Sequence, residues 1–141
     1  MGISAFGTLL KVGDGGTPES FTTIAEVSNI GGPALKLEPI DVTNHSSTGG
    51  WKEFVGGLLE GGELSLEINY DPTHATHDAS TGLIADMAAR TVRNFQLVFP
   101  DTSSTTWSFA ALVTGFEPSE PVDGKLSAAV ALTVSGQPTL A

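Results

Sequence analysis

The chain has 141 residues, which suits one domain that buries about two thirds of the surface its unfolded form exposes. It has no cysteine, which excludes disulfides and thiolate metal sites, and its formal charge of −10 without a lysine or arginine cluster argues against binding nucleic acid through phosphates. Seventeen glycines and eight prolines favour many turns over long helices.

The N-terminal region begins without the basic segment and apolar run of a secretory signal. No stretch of the chain approaches the roughly 20 apolar residues that span a bilayer. We therefore expect no membrane association. We also expect that the protein is synthesised and folds in a cytoplasm. A first strand is predicted over residues 7–12, before the turn-forming residues 13–16, and a second over residues 21–27, where the apolar phase slips between Ile24 and Val27.

The next strand, from Leu35 to Val42, also changes phase, and the change falls at Pro39. Since proline cannot donate to a strand ladder, we predict an edge position or a bulge there. A long glycine-rich connection follows, over about residues 44–62. Connections of this length within a domain are usually functional or disordered, and its large apolar side chains suggest anchors that dock on a partner. Packing of these anchors against their own domain is the alternative.

The clearest strand lies at Glu63 to Tyr70, where every even residue is apolar and every odd one is polar. Similar alternation predicts strands around residues 95–99, 107–113 and 125–134. Such two-sided strands are typical of antiparallel sheets. One short helix is predicted, with Asp78 or Ser80 as its cap and Arg90 and Arg93 near its end. The prediction rests on four apolar residues at helical spacing: Leu83, Ile84, Met87 and Ala88.

Candidate chemical sites are few. His74, His77 and Asp78 are the one arrangement that resembles a metal site, but they follow a turn and lack the fixed geometry that zinc needs, so exposed histidines are the preferred interpretation. No cysteine nucleophile, G-x-S-x-G elbow or phosphate-binding glycine loop is present. A glycosidase with two carboxylates brought together in space stays a minor alternative. We predict no catalytic, cofactor or metal site, and no enzymatic activity.

Three consecutive segments carry a family resemblance. A strand ends in Asp41-Val42-Thr43-Asn44, a loop element reads Trp51-Lys52-Glu53-Phe54, and Gly61-Gly62 leads into the alternating strand that ends in Tyr70-Asp71. With the acidic balance and the single helix before the last three strands, this resembles the major tail-tube protein of long-tailed bacteriophages over roughly residues 5–136. The implied fold is mainly β: an antiparallel two-sheet β-sandwich or barrel with one short α-helix, as a single domain over residues 1–141.

The resemblance also implies a function. Such proteins self-assemble into stacked hexameric rings that form the hollow tail tube of a virion, and DNA passes along the lumen without specific binding. An N-terminal arm, about residues 1–20, and the 44–62 loop would bridge to the next ring. Further expected partners are the tail tip, tape-measure and terminator proteins of the phage. The protein would be made in the cytoplasm of the bacterial host. The fold is shared with the tubes of contractile injection systems.

Two sets of residues follow as candidates for this function. The expected contacts between subunits are the large apolar side chains of the loop: Trp51, Phe54, Val55, Leu58 and Leu59. Glu63, Glu67 and Asn69, on the polar side of the clearest strand, are expected to face the lumen, with the outer surface as the alternative. The competing function is a capsid-decoration or carbohydrate-binding β-sandwich. A sugar-binding protein would use exposed aromatic residues in a cleft, and the available candidates are Trp51, Trp107 and Tyr70.

Overall fold

The computed structural model describes residues 2–140, so Met1 of the predicted N-terminal arm lies outside the described residues. Strands dominate this part of the chain, with one α-helix and a single turn of 3-10 helix at Thr48–Gly50. The elements are β1 (Leu9–Gly13), β2 (Phe21–Thr23), β3 (Val27–Gly31), β4 (Lys36–Asp41), β5 (Phe54–Glu60), β6 (Glu63–Asn69), α1 (Leu83–Ala89), β7 (Arg93–Val98), β8 (Thr106–Ser119) and β9 (Ser127–Leu140).

Seven of the strands form one antiparallel sheet in the order β2-β1-β7-β8-β9-β6-β3. This sheet has two halves, and the long strands β8 and β9 belong to both of them. The first part of β8 pairs with β7, whereas its last part pairs with the first part of β9, which in turn pairs with β6. Register shifts at Ser108/Ala110 and Val113/Gly115 bend this central pair. The bend lets the two halves of the sheet face each other, and the predicted mainly β, antiparallel fold is confirmed.

The core lies between these halves and follows from the alternation of each strand. In β6 the even-numbered residues Leu64, Leu66 and Ile68 are buried, while the odd-numbered Glu63 and Glu67 are exposed. The other strands add inward-facing residues to the same cluster: Leu10, Phe95, Leu97, Phe109, Ala111, Val113, Ala128, Val130 and Leu132. Apolar alternation at a period of two thus places one side of every central strand in a common interior.

The helix α1 covers one side of the core and contacts β8. Leu83 is buried, as its predicted face requires. The cap differs from the prediction. The N-cap residue is Gly82, which has no side chain that could cap the helix. Asp78 instead accepts hydrogen bonds from the N–H groups of the loop before the helix. Arg90 ends the helix in the left-handed conformation, and Arg93 lies in β7, where its Nε is 2.9 Å from the buried carboxylate of Asp86.

The predicted strand over residues 21–27 is two strands, β2 and β3. The chain turns between them at Glu26, which has a φ of 59°. Ile24 in this turn is buried and its N–H donates to the carbonyl of Leu10, 2.9 Å away. The slip in apolar phase therefore marks a turn that carries the chain from one edge of the sheet to the other.

The remaining two strands, β4 and β5, pair with each other as a separate hairpin. The connection predicted over residues 44–62 is accordingly shorter, since Phe54–Glu60 form β5 and residues 42–53 link the strands. Pairing satisfies the backbone of this apolar segment, and glycine lets the strands approach, because a Cβ on Gly57 would lie 2.9 Å from the carbonyl oxygen of Glu38. The predicted irregularity at Pro39 is confirmed as a shift of register between Leu37 and Pro39.

Candidate functional site: an apolar hairpin and an acidic sheet face

The β4–β5 hairpin exposes every apolar side chain proposed from the sequence as a contact between subunits. Relative exposures are 78% for Trp51, 55% for Phe54, 49% for Val55, 78% for Leu58 and 77% for Leu59. The facing strand β4 and the residue before it add further exposed apolar side chains, Leu35, Leu37 and Ile40. A concentration of large exposed apolar side chains in one hairpin is typical of interaction sites. Packing of the anchors against their own domain, the alternative left open by the sequence, is not what the structure shows.

The turn of the hairpin, residues 42–53, has a defined local structure. The N–H of Val42 donates to the carbonyl of Glu53 at 2.9 Å, and the N–H of Glu53 donates to the Thr43 hydroxyl at 2.8 Å. Ser47 donates its hydroxyl proton to Glu53 Oε2 at 2.7 Å, and its Oγ accepts from the N–H of Asn44 at 3.0 Å. These bonds close the turn with polar side chains and leave Trp51 as its exposed aromatic residue.

The second feature is the solvent-exposed face of β6 and of the adjacent strands β9 and β8. Glu63 and Glu67 are exposed on this face, as predicted, whereas Asn69 is half-buried and its Oδ1 is buried without a hydrogen-bond partner among the described residues. The pairing places Ala129 of β9 beside Glu67, and Glu117 of β8 beside Ala129. Two exposed carboxylates thus flank a small side chain on this face.

The histidine motif has a structural role that the sequence analysis missed. His77 is fully buried, contrary to the expectation of exposure. Its Nε2 lies 2.7 Å from the carbonyl oxygen of Ala25, and its Nδ1 accepts a hydrogen bond from the N–H of Asp71 at 3.0 Å. The N–H of Asp71 can only donate, so Nδ1 is the acceptor and Nε2 carries the proton. His77 therefore connects the β2–β3 turn to the loop after β6.

Residues 2–140 contain no group of three or more potential metal-ligating His, Asp or Glu side chains. Within the same residues no helix is long and apolar enough to cross a membrane. The aromatic residues considered for sugar binding are engaged elsewhere in two cases. Trp107 packs edge-on against Phe99 at 5.4 Å, and Tyr70 packs edge-on against Phe116 at 5.3 Å.

Several loop aspartates accept hydrogen bonds from neighbouring N–H and O–H groups, which lowers their pKa values: Asp14, Asp41, Asp71, Asp78 and Asp101. At Asp71 the main cause of the lowered pKa is the hydroxyl of Thr73, whose oxygen lies 2.6 Å from Oδ1. At Asp78 it is the backbone N–H of Thr81, also at 2.6 Å. These bonds favour the charged carboxylate in the folded state.

The stability of the subunit is therefore expected to fall in acid. A carboxyl whose pKa is lower in the folded state stabilises the fold above its unfolded value, 3.8 for aspartate, and loses that contribution as the pH falls toward the folded value. Melting temperatures measured from pH 5 to pH 2 should decline below about pH 4. Asp71→Asn should make the decline shallower. An unchanged melting temperature between pH 5 and pH 2 would contradict the assignment.

The first residues of the predicted N-terminal arm include exposed apolar side chains. Within them Ile3 and Phe6 are 72% and 92% exposed. They line a cleft of about 750 Å³ together with residues of β3 and the aromatic pair Phe99 and Trp107. The arm is shorter than residues 1–20, since β1 is integrated in the sheet between β2 and β7. Leu10, which is fully buried, explains that integration.

Comparison with solved structures identifies similar folds. A chain in the virion of a native gene transfer agent particle has a TM-score of 0.76 at 21% identity, with 99% of both chains covered. A chain in the tail of an empty gene transfer agent particle with C6 symmetry has 0.75 at 23% identity, again with 99% of both covered. A chain of an extracellular contractile injection system, in its extended sheath/tube terminator, has 0.74 at 13% identity over 100% of this chain and 97% of that one.

Comparison by sequence is more specific. No curated protein sequence matches the chain significantly. The model of the lambda phage tail tube protein family, in contrast, matches residues 8–141, which is nearly the whole chain. The resemblance carried by the 41–44, 51–54 and 61–71 segments is thereby confirmed. The chain belongs to the lambda phage tail tube protein family and is a structural protein of a phage-type tail.

Proposed function

We propose that this protein assembles with copies of itself into hexameric rings that stack into a hollow tube, through which DNA passes during delivery. The observation that carries the proposal is the β4–β5 hairpin, whose large apolar side chains are left uncovered by the described part of their own domain. Membership of the tail tube family and the C6 symmetry of one structurally similar tail support the ring. The role is structural rather than enzymatic.

The contact segment of this proposal is the hairpin tip and β5. Trp51 and Phe54 are its aromatic members, and aromatic anchors often dominate the energy of protein interfaces. Full burial of one such large apolar side chain contributes about 1.5–3 kcal/mol to the free energy of association. Because each ring repeats the contact, the loss of one anchor is multiplied along the tube.

We expect Trp51→Ala and Phe54→Ala to weaken assembly strongly while leaving the fold intact. Both side chains are more than half exposed in the subunit, so their removal opens no cavity in the core. Tube formation should be followed by negative-stain electron microscopy over a range of protein concentrations, with melting temperatures measured on the same samples. Val92→Ala, at an exposed valine outside the hairpin, is the control.

Two results would contradict the proposal. If both aromatic variants lower the melting temperature by several degrees and still form tubes at the wild-type concentration, these residues pack within the subunit. If the wild-type protein stays monomeric under all conditions, including seeding with preformed tail tips, the assembly itself is refuted.

We propose that the solvent-exposed face of β6, with Glu63, Glu67 and the half-buried Asn69, lines the lumen of the tube. Exposed carboxylates repel DNA phosphates, so DNA could move past this wall without binding to it. A helical reconstruction of the same tubes by cryo-electron microscopy checks the assignment. Finding β6 on the outer wall would contradict it.

The remaining partners follow from the position of a tube within a tail. We propose contacts with the tail tip, tape-measure and terminator proteins at its ends and inside it. The N-terminal segment with Ile3 and Phe6 is proposed to bridge to the next ring, because its apolar side chains are exposed in the subunit. Synthesis is proposed to occur in the cytoplasm of the bacterial host.

A further inference from the structure

The β4–β5 hairpin carries large apolar side chains on both of its faces. Its pairing steps from Leu37↔Leu59 to Pro39↔Gly56, so β5 has one more residue than β4 in this interval. An extra residue of this kind is unpaired and shifts the alternation of its strand by one. Leu59 therefore returns to the face that also holds Leu37 and Phe54.

The other face has its own apolar pair. Ile40 and Val55 are direct cross-strand partners there, and they are 46% and 49% exposed. Leu37, Phe54 and Leu59 on the first face are 57%, 55% and 77% exposed. An antiparallel ribbon that docks by one side usually has a polar second side. In this hairpin, burying either face alone would leave apolar side chains in water.

The base of the hairpin borders an open groove of its own subunit. At the base of the hairpin Leu37 and Leu59 form one wall of an open groove of about 990 Å³, and the end of β9 forms the other wall with Val134 and Leu140. Ile40 and Val55 do not line this groove. Lys36 and Glu60 line it as well, and by register they lie on the second face, so the groove borders both faces at the base of the hairpin, while Ile40 and Val55 lie nearer the tip.

We infer that both faces of the hairpin are covered by other copies of this chain: one copy enters the groove against the first face, and another copy lies over the second. This inference rests on the proposed tube. The occupant is the chain itself because the chain belongs to the tail tube family, and a structurally similar chain lies in a tail with C6 symmetry. Copies with a net charge of −10 repel one another, so they need an uncharged contact surface, which these side chains supply.

The absence of cysteine from the chain permits a direct test. Leu59→Cys and Val55→Cys each introduce one thiol, on the first and the second face respectively. Each variant is treated with a maleimide as isolated subunits and as tubes. Both reaction rates should fall at least about tenfold in tubes, because a thiol buried in a packed contact excludes the reagent. Dissolving the tubes should restore the subunit rate and shows that the thiol was intact.

A second measurement compares assembly. Leu59→Ser and Val55→Ser should each raise the protein concentration needed for tubes about tenfold, which corresponds to about 1.4 kcal/mol, without changing the subunit's melting temperature. Val92→Ser is the matched control for Val55→Ser, since the two valines are 50% and 49% exposed and Val92 lies outside the hairpin.

The outcomes separate this inference from the function on which it rests. Tubes in which the thiol on one face still reacts at the subunit rate overturn the two-sided contact and leave the tube standing. Tubes in which neither thiol is protected overturn it as well. A wild-type protein that forms no tubes refutes the proposed function itself.

Discussion

Replacing Phe95 with alanine is expected to lower the free energy of unfolding by about 3–5 kcal/mol, the usual cost of removing a fully buried aromatic ring. Phe95 in β7 is 0% exposed, and its ring stacks on that of Phe109 with centroids 5.9 Å apart. Its strand β7 lies between β1 and β8, so the cavity would open beside a central strand of the sheet. Dense packing prevents the neighbouring strands from closing such a space.

Urea denaturation of the subunit measures this loss as a lower transition midpoint with an unchanged slope. Phe6→Ala is the control, because the ring of Phe6 is 92% exposed and its removal should change the subunit's stability by less than about 0.5 kcal/mol. Equal losses in the two variants would show that the core is not organised around β7 as described.

Replacing His77 with alanine is expected to cost about 2–4 kcal/mol of stability, because two backbone groups lose their partner and a cavity remains. The carbonyl of Ala25 loses the donor at 2.7 Å, and the N–H of Asp71 loses its acceptor at 3.0 Å. These bonds join segments 52 and 6 residues away from His77 in sequence. The loss should loosen the β2–β3 turn and the loop after β6 together.

Amide hydrogen exchange followed by NMR can detect this local effect, since the N–H of Asp71 should lose protection even where the global fold persists. His45→Ala is the matched control, because His45 is exposed in the hairpin turn. If His77→Ala is as stable as His45→Ala, the imidazole does not hold these segments together.

Much of the sheet was predictable because the alternation in its strands is local. Leu64, Leu66 and Ile68 alternate with polar residues, and whichever strand pairs beside them, one side must be buried. The helix was predictable for a related reason, since Leu83, Ile84 and Met87 recur at helical spacing and are buried or half-buried, whereas Ala88 of the predicted face is exposed. Its cap was not, because the carboxylate of Asp78 could serve either the helix or the preceding loop.

The candidate site was predictable in composition and only partly in form. The exposed anchors Trp51, Phe54 and Leu59 were singled out from their size on a glycine-rich segment. Their arrangement was not, because the spacing over residues 51–59 resembles a helical face and only pairing with β4 makes it a strand. His77 was missed because nothing nearby in the sequence indicates a partner as distant as Ala25.

The sequence by itself determined that this protein is mainly β, acidic and without an evident catalytic site, and that an apolar segment precedes its clearest strand. These properties depend on residue type and on short-range periodicity, which any strand pairing must respect. The tertiary structure alone decided the extra residue in β5, which brings Phe54 and Leu59 to one face and leaves Ile40 and Val55 on the other. Register and long-range hydrogen bonds depend on which segments meet in space, and that choice is made by the whole core at once.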